Sequence, residues 1–171
     1  MSLIIGEEGP GGGLVFWVNE GDRSMPRALE AAQRGWYTGS RPWGGEEGDD
    51  CRMIWCDSQD GLDAITFGKK EIGSGGDNYD AIKKSKVFCA PIFQINSFMG
   101  GDWMLPTADE LQMMYKNLHL EGLGGFDGEQ YWSCTTFFVP YIYSLNFMDG
   151  EEMMSFHNMC FSLRPIRAIS W

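Results

Sequence analysis

The sequence has little positive charge and no long apolar run. Its 171 residues include 13 Lys and Arg against 24 Asp and Glu, a formal net charge of −11. An acidic chain repels phosphate groups, which argues against nucleic acid or an anionic membrane as a partner. No apolar run approaches the ~20 residues of a membrane-spanning helix. We therefore expect no nucleic-acid partner and no membrane insertion.

The chain also lacks the sequence signatures of common catalytic sites. It has no Gly-x-Ser-x-Gly elbow, no phosphate-binding loop and no His-Glu-x-x-His helix. His119 and His157 are the only histidines, and no cluster of Cys or carboxylate residues accompanies His119 in the sequence. We expect no catalytic residue, no cofactor and no enzymatic activity.

Metal-binding patterns are missing as well. The five cysteines do not have zinc or thioredoxin spacing, so structural thiols are expected; they are Cys51, Cys56, Cys89, Cys134 and Cys160. Acidic residues cluster at 46–50 and 149–152 without a calcium-loop pattern, which predicts solvated turn carboxylates. No metal site is predicted.

The chain is rich in glycine and aromatic residues, which favour turns and half-buried β-structure. Glycine occurs 23 times, aromatic residues make up 14% and hydrophobic residues 43%. The length suits one domain spanning residues 1–171, and the glycines at 9–13 predict a flexible N-terminal segment over 1–13. Composition therefore argues against a helical bundle, and the helices and strands located below predict a mixed α/β (α+β) protein. Met1–Gly6 has no basic region or long apolar core, so no signal peptide is visible, although a processed chain could have lost one.

Two helices are predicted. The clearer one follows Pro106, where Thr107 and Glu110 form a capping box ahead of an apolar stripe; the stripe comprises Leu111, Met114, Tyr115 and Leu118. Asp77 is expected to cap the other helix, which ends before Pro91. Residues 38–50 are predicted to form a long ordered loop. Residues 27–33 fit either a helix, by propensity, or a strand that pairs with Leu14–Val18.

The last third of the chain predicts several strands and a surplus of large apolar side chains. Strands are expected at 131–137, 141–147 and 163–169, and Asp149-Gly150 is a hairpin turn into 153–158, which is either a further strand or a loop. The aromatic and Met residues from Phe137 to Phe161 exceed what one sheet face can bury. They form either a contact surface or a thick core shared with Trp103 and Trp132.

The contact-surface interpretation predicts which residues bind a ligand. The hairpin turn places alternate residues of two strands on one face, and exposed apolar area costs ~25 cal/mol per Å² unless a partner covers it. The expected ligand-binding residues are Phe137, Phe138, Tyr141, Tyr143, Met153, Phe156 and His157.

Several segments resemble one bacterial domain family. Gly100-Gly-Asp-Trp-Met-Leu-Pro-Thr-Ala-Asp-Glu-Leu111 is similar to its signature, and Tyr131-Trp-Ser133, Asn146-Phe147 and Arg164-Pro-Ile-Arg-Ala168 match later blocks in order. This is the domain-of-unknown-function family typified by the C-terminal domain of Legionella-collagen-like proteins. The residues after Ser133 are bulkier than the Asn-, Ser- and Asp-rich stretch that is common in the family.

The resemblance implies a C-type-lectin-like fold, with two helices, mostly antiparallel sheets, paired terminal strands and long ordered loops. It implies that residues 27–31 form a strand and that Trp103 and Trp132 are core residues. Relatives with this fold include adhesins, phage receptor-binding proteins and variable proteins diversified by retroelements. A location at the cell surface, in the secreted fraction or on a phage particle is therefore expected.

Three functional hypotheses follow. The first is a non-enzymatic domain that binds a ligand through its C-terminal aromatic residues; few polar side chains are available to orient sugar hydroxyls, so a protein ligand is favoured over a glycan. The second is an adhesive or structural tip domain of a surface or phage fibre protein. The third, an oxidase of the formylglycine-generating type, would need Cys134 and Cys160 to hold copper together. The oligomeric state is left open.

Overall fold

A computed structural model describes residues 3–171, which form three α-helices and two β-sheets. The α+β class predicted from the sequence is confirmed. The helices are α1 (Gly75–Lys84), α2 (Ala90–Met99) and α3 (Ala108–Met114). The strands are β1 (Leu14–Val18), β2 (Ala28–Ala31), β3 (Arg52–Met53), β4 (Trp103–Met104), β5 (Gln130–Thr136), β6 (Tyr141–Asn146), β7 (Glu152–Phe156), β8 (Phe161–Ser162) and β9 (Ile166–Ile169).

The first sheet joins the two ends of the chain, in the order β1-β2-β9-β4. β2 is a strand rather than a helix, as the family resemblance implied, and all four of its residues are buried. The Asn19–Asp22 turn returns the chain antiparallel to β1, and β9 then pairs with the other side of β2. Pairing on both sides satisfies the backbone groups of this short segment, which overrides its helical propensity.

The second sheet has the order β3-β8-β5-β6-β7 and carries the C-terminal aromatic residues. β6 and β7 form a regular hairpin of five consecutive antiparallel pairs. Gly150 lies in the turn with a φ of 77°, a conformation that suits glycine. The predicted hairpin turn at Asp149-Gly150 is confirmed, and the segment after it, expected to be a strand or a loop, is the strand β7. β7 is the last strand at one edge of the sheet.

The helix after Pro106 is confirmed with its capping box. The Thr107 hydroxyl accepts a hydrogen bond from the Glu110 amide, and the Glu110 carboxylate accepts one from the Thr107 amide. A π-helical turn over Tyr115–His119 continues α3. Leu111, Met114 and Leu118 of the predicted stripe are fully buried.

The other helices differ from the prediction. α1 begins at Gly75 after Ser74, and Asp77 lies inside its first turn instead of capping it. α2 was not predicted, so residues 3–171 form three α-helices where two helices were expected. Pro91 was interpreted as the end of a helix, but it lies in the first turn of α2. Backbone N–H groups in the first turn have no partner within the helix, so proline, which has no N–H, fits there.

The core is assembled around buried aromatic residues. Trp103 and Trp132 are buried, as the resemblance implied. The Trp132 indole N–H donates to the Met53 carbonyl at 2.9 Å, and that of Trp55 donates to the Ser133 carbonyl at 2.9 Å. These bonds tie the loop around β3 to β5, the strand at the centre of the second sheet.

The glycines at 9–13 form a turn beside the first sheet. The flexibility expected of residues 1–13 stays a prediction, and residues 1 and 2 lie outside the described residues. The amides of Gly11 and Gly13 donate to the buried Glu30 carboxylate at 2.9 and 3.1 Å. Arg167 lies 3.2 Å from the same carboxylate. The turn therefore supplies partners for a charge that the first sheet buries. Within residues 3–171, no helix combines the length and apolar character that crossing a membrane requires.

The buried carboxylate of Asp50 contradicts a sequence prediction. Asp50 was expected to be a solvated turn carboxylate, but its side chain is buried and forms two hydrogen bonds to the buried Arg164, each of 2.7 Å. Trp36 and Tyr131 also donate to its carboxylate. The long loop ending at residue 50 is thus anchored to the segment that leads into β9.

Candidate binding face

A continuous group of aromatic side chains covers one face of the β6–β7 hairpin. In the hairpin register, Tyr141 lies opposite Phe156 and Tyr143 lies opposite Met154. Alternation along each strand places these four side chains on the same face. We call the following set the aromatic face: Phe67, Phe137, Phe138, Tyr141, Tyr143, Met154 and Phe156.

Ring contacts connect the aromatic members of this face in sequence. Phe156 contacts Tyr141 at 4.8 Å between ring centroids, and Tyr141 contacts Phe138 at 5.5 Å. Phe138 contacts Phe137 at 4.9 Å, and Phe137 contacts Tyr143 at 5.5 Å. Such tilted and edge-on pairs hold each ring in place, so the face presents a fixed apolar surface.

Phe67 extends the aromatic face from a different part of the chain. Its amide donates to the Phe137 carbonyl at 2.6 Å, and the Gly68 amide donates to the Thr136 carbonyl at 3.0 Å. The Phe67 and Phe137 rings meet edge-on at 5.7 Å. Phe67 has a φ of 59° and is 71% exposed. A bulky residue rarely adopts this backbone conformation, so the segment holds an exposed ring at some conformational cost.

The aromatic face is exposed enough to meet a partner. Phe138 is 45% exposed, Met154 51% and Phe156 48%, while Phe137, Tyr141 and Tyr143 are half-buried. The depression between Thr66, Phe137 and Tyr141 is too small for a water molecule. A surface without a cavity does not enclose a small molecule, because such ligands occupy pockets of ~300–1,000 Å³.

A charged pair borders the aromatic face. The Lys70 ammonium lies 4.5 Å from the centroid of the Tyr143 ring and 2.6 Å from a Glu152 carboxylate oxygen. Burial by itself would lower the pKa of Lys70, but the hydrogen bond and charge of Glu152 outweigh it and raise the pKa. Lys70 therefore stays charged over the Tyr143 ring, a favourable cation–π position.

Two residues of the predicted site lie elsewhere. His157 is buried on the opposite side of the hairpin, with its Nδ1 atom 2.9 Å from the Cys56 carbonyl. Its own carbonyl accepts hydrogen bonds from the Trp55 and Cys56 amides, so it links β7 to a loop. Met153 is exposed but lies opposite Ser144, on the other face of the hairpin.

Two members of the aromatic face were missed from the sequence. Met154 takes the place assigned to Met153, since a shift of one residue exchanges the faces of a strand. Only the pairing register, in which Tyr143 lies opposite Met154, shows that Met154 and not Met153 belongs to the aromatic face. Phe67 lies 70 residues before Phe137 in a loop, and no pattern near it indicates the contact.

The cysteines considered for copper binding have separate surroundings. The Cys134 thiol lies 3.5 Å from the Asn78 side-chain amide, while Arg52 is the charged neighbour of Cys160. Burial raises the pKa of the Cys134 thiol to about 12, which disfavours the thiolate that a metal requires. Among residues 3–171 there is no group of three or more His, Cys, Asp or Glu side chains placed to hold a metal ion.

Comparison with known proteins does not identify the chain: no model of a protein family matches it, and no curated protein matches its sequence.

Proposed function

We propose that this chain is a non-enzymatic ligand-binding domain that binds a protein partner through its aromatic face. The observation that carries the proposal is the unbroken set of ring contacts from Phe156 to Phe67 on a solvent-exposed surface. Exposed apolar surface of this kind marks a contact site in a folded protein. Rigid aromatic side chains also lose little conformational entropy when a partner covers them.

A protein partner fits this face better than a glycan. Sugar hydroxyls need directed polar groups, and the only polar side-chain atoms in the aromatic face are the Tyr141 and Tyr143 hydroxyls. The Lys70 ammonium at its border is already paired with Glu152. A flat face with fixed aromatic rings and a charged rim resembles the hot-spot region of protein interfaces.

The proposal includes a C-type-lectin-like scaffold and a diversified surface. The scaffold assignment is supported by the motif resemblance, by the sheet that joins β1 and β2 to β9, and by the buried positions of Trp103 and Trp132. Diversification by a retroelement is supported by bulky residues in a region where the resembling family is polar. It would allow one scaffold to present different binding faces, at the cell surface or on a phage particle.

A capture experiment tests the binding role. Immobilised chain would be incubated with extracts of bacterial surface proteins, and the bound proteins would be quantified by mass spectrometry. The test variant is the Phe67→Ser, Phe138→Ser double variant. The matched control is Phe88→Ser with Phe93→Ser, an exposed ring pair 5.6 Å apart at the start of α2.

The expected result is a protein that binds the wild-type chain and the control variant and is lost with the test variant. All four substituted rings are exposed, so both variants should keep the wild-type melting temperature. Equal capture by the test variant, or equal loss with the control, would overturn the proposal. Diversification has its own test: the codons for residues 137–161 should match a nearby imperfect repeat, and a genome without such a repeat would contradict it.

A further inference from the structure

The β7 edge is longer and more regular than the other three sheet edges in the described part of the chain. β3 and β4 are edges of only two residues each. The β1 edge is bulged and covered, because the Gly6 amide and the Glu7 carbonyl hydrogen-bond to Val15. Short, bulged or covered edges prevent unwanted strand pairing. β7 has five residues, a regular register and no Lys or Pro.

The register identifies which backbone groups of β7 point outward. The Asn146 amide donates to the Glu151 carbonyl, and the His157 amide donates to the Pro140 carbonyl. Hydrogen-bonded pairs recur every second residue in an antiparallel ladder, so Met153 and Ser155 also direct their backbone groups at β6. The amides and carbonyls of Glu152, Met154 and Phe156 therefore face away from the sheet, and among them the Phe156 carbonyl accepts a hydrogen bond from the Met159 amide at 3.0 Å.

We propose that β7 pairs antiparallel with β7 of a second copy of this chain, about a two-fold axis at Met154. In this register Met154 lies opposite Met154, and Glu152 lies opposite Phe156 of the second copy. The outward amide and carbonyl of Met154 then pair with those of Met154 in the other chain, and the outward groups of Glu152 pair with those of Phe156, whose carbonyl is an acceptor shared with its own Met159 amide. Such pairing is self-complementary. The two five-stranded sheets become one continuous sheet.

The side chains of β7 favour this register. An antiparallel arrangement keeps the two Glu152 carboxylates at opposite ends of the pairing, whereas a parallel one would place them side by side. Lys70 offsets each carboxylate at 2.6 Å, which lessens the repulsion between two chains of net charge −11. The exposed Met154 side chain gains an apolar neighbour directly opposite it, which is Met154 of the second copy.

Pairing through β7 would bring the aromatic faces of two chains together. Met154 and Phe156 belong to the aromatic face, so the aromatic faces of the two copies meet at the two-fold axis. The ligand would then contact one surface built from both chains. The pairing itself rests on the strand edge and holds whether or not the aromatic face binds a ligand.

Light scattering after size-exclusion chromatography of the full chain tests the pairing. The wild-type chain should approach twice its monomer mass of 19.3 kDa as its concentration rises. Met154→Lys should keep the chain monomeric, because it places two ammonium groups at the axis. Met148→Lys is the matched control: Met148 is 77% exposed but lies in the turn before β7, so this variant should dimerise like the wild type.

Charge substitution at position 156 tests the register. Phe156→Glu should abolish the dimer by facing Glu152 of the second copy, whereas Phe156→Lys should preserve or tighten it. Amide exchange by NMR gives an independent readout. The amides of Glu152, Met154 and Phe156 should be protected in the wild type and exchange freely in Met154→Lys, while those of Met153 and Ser155 stay protected in both.

Several results would overturn the pairing. A wild-type chain that remains monomeric at every concentration would show that the edge takes no second copy. A dimer that survives Met154→Lys, or that responds equally to both charges at position 156, would show an interface elsewhere. The capture experiment uses Phe67 and Phe138, which lie outside β7, so the failure of either proposal can be recognised separately.

Discussion

Asp50 and Arg164 form a fully buried ion pair that joins the end of the long loop to the segment before β9. Arg164 Nε and Nη2 each lie 2.7 Å from an Asp50 carboxylate oxygen, and both side chains are inaccessible to solvent. Arg164 also donates to the Ala32 and Gly124 carbonyls. Its guanidinium therefore connects four parts of the chain that are distant in sequence.

Asp50→Asn should destabilise the protein strongly, because it leaves the Arg164 charge buried without its partner. The expected loss in the free energy of unfolding is ~3–5 kcal/mol. Urea unfolding followed by fluorescence measures it. Asp77→Asn is the control, since it removes an ion pair with Lys69 in which both side chains are exposed, and such pairs contribute little. Equal stability of the two variants would contradict this role of the buried pair.

Thr107→Ala should lower stability by removing the capping hydroxyl of α3. That hydroxyl accepts a hydrogen bond of 3.2 Å from the Glu110 amide, and loss of such a cap costs about 1 kcal/mol. Thermal unfolding measures the change. Thr107→Ser keeps the hydroxyl and should retain most of the stability. A melting temperature that Thr107→Ala leaves unchanged would mean that the capping box contributes nothing to folding.

Glu110 should make the stability depend on pH near neutrality. Burial raises the pKa of its carboxyl from 4.5 to about 7, against the opposing effect of hydrogen bonds from Thr107 and Gly73. Between these two pKa values the folded state binds more protons than the unfolded state. The stabilising proton is fully present below about 4.5 and lost as the pH rises through about 7. Linkage converts this shift to a loss of about 3 kcal/mol.

The Glu110→Gln variant isolates this contribution. Unfolding free energies of the wild type and of Glu110→Gln would be measured from pH 4.5 to pH 7, the range between the ordinary and the raised pKa. The difference between them should change across this range, because Gln cannot titrate. Parallel curves would show that Glu110 keeps an ordinary pKa in the folded protein.

The native protein should react with a thiol reagent at one cysteine only. Cys160 is half-buried, whereas the other four cysteines are buried. Burial raises the pKa of the Cys160 thiol as well as that of Cys56, which it raises to about 12, so exposure to the reagent is what distinguishes Cys160. Ellman's reagent should therefore titrate one thiol quickly in buffer and all five in denaturant. Cys160→Ser should abolish the fast reaction, and a fast reaction that persists would contradict the assignment.

The sequence by itself determined the features that depend on neighbouring residues. The α3 capping box needs only Thr107 and Glu110 at the right spacing, and the β6–β7 hairpin needs Asp149-Gly150 between two strand-forming segments. Alternation along the predicted 141–147 strand also places Tyr141 and Tyr143 on one face, as the structure shows. Each of these signals lies within about one turn or one hairpin of the residues it positions.

Only the tertiary structure decided the features that depend on distant contacts. The partner of Asp50 lies 114 residues away, and Phe67 meets Phe137 across 70 residues, so no local pattern reveals either contact. The choice between Met153 and Met154 depended on a register that the turn residues alone did not specify. β7 became an unpaired edge because β8 pairs with β5 and leaves no strand beyond it. Strand order is set by packing across the whole chain, which local sequence does not encode.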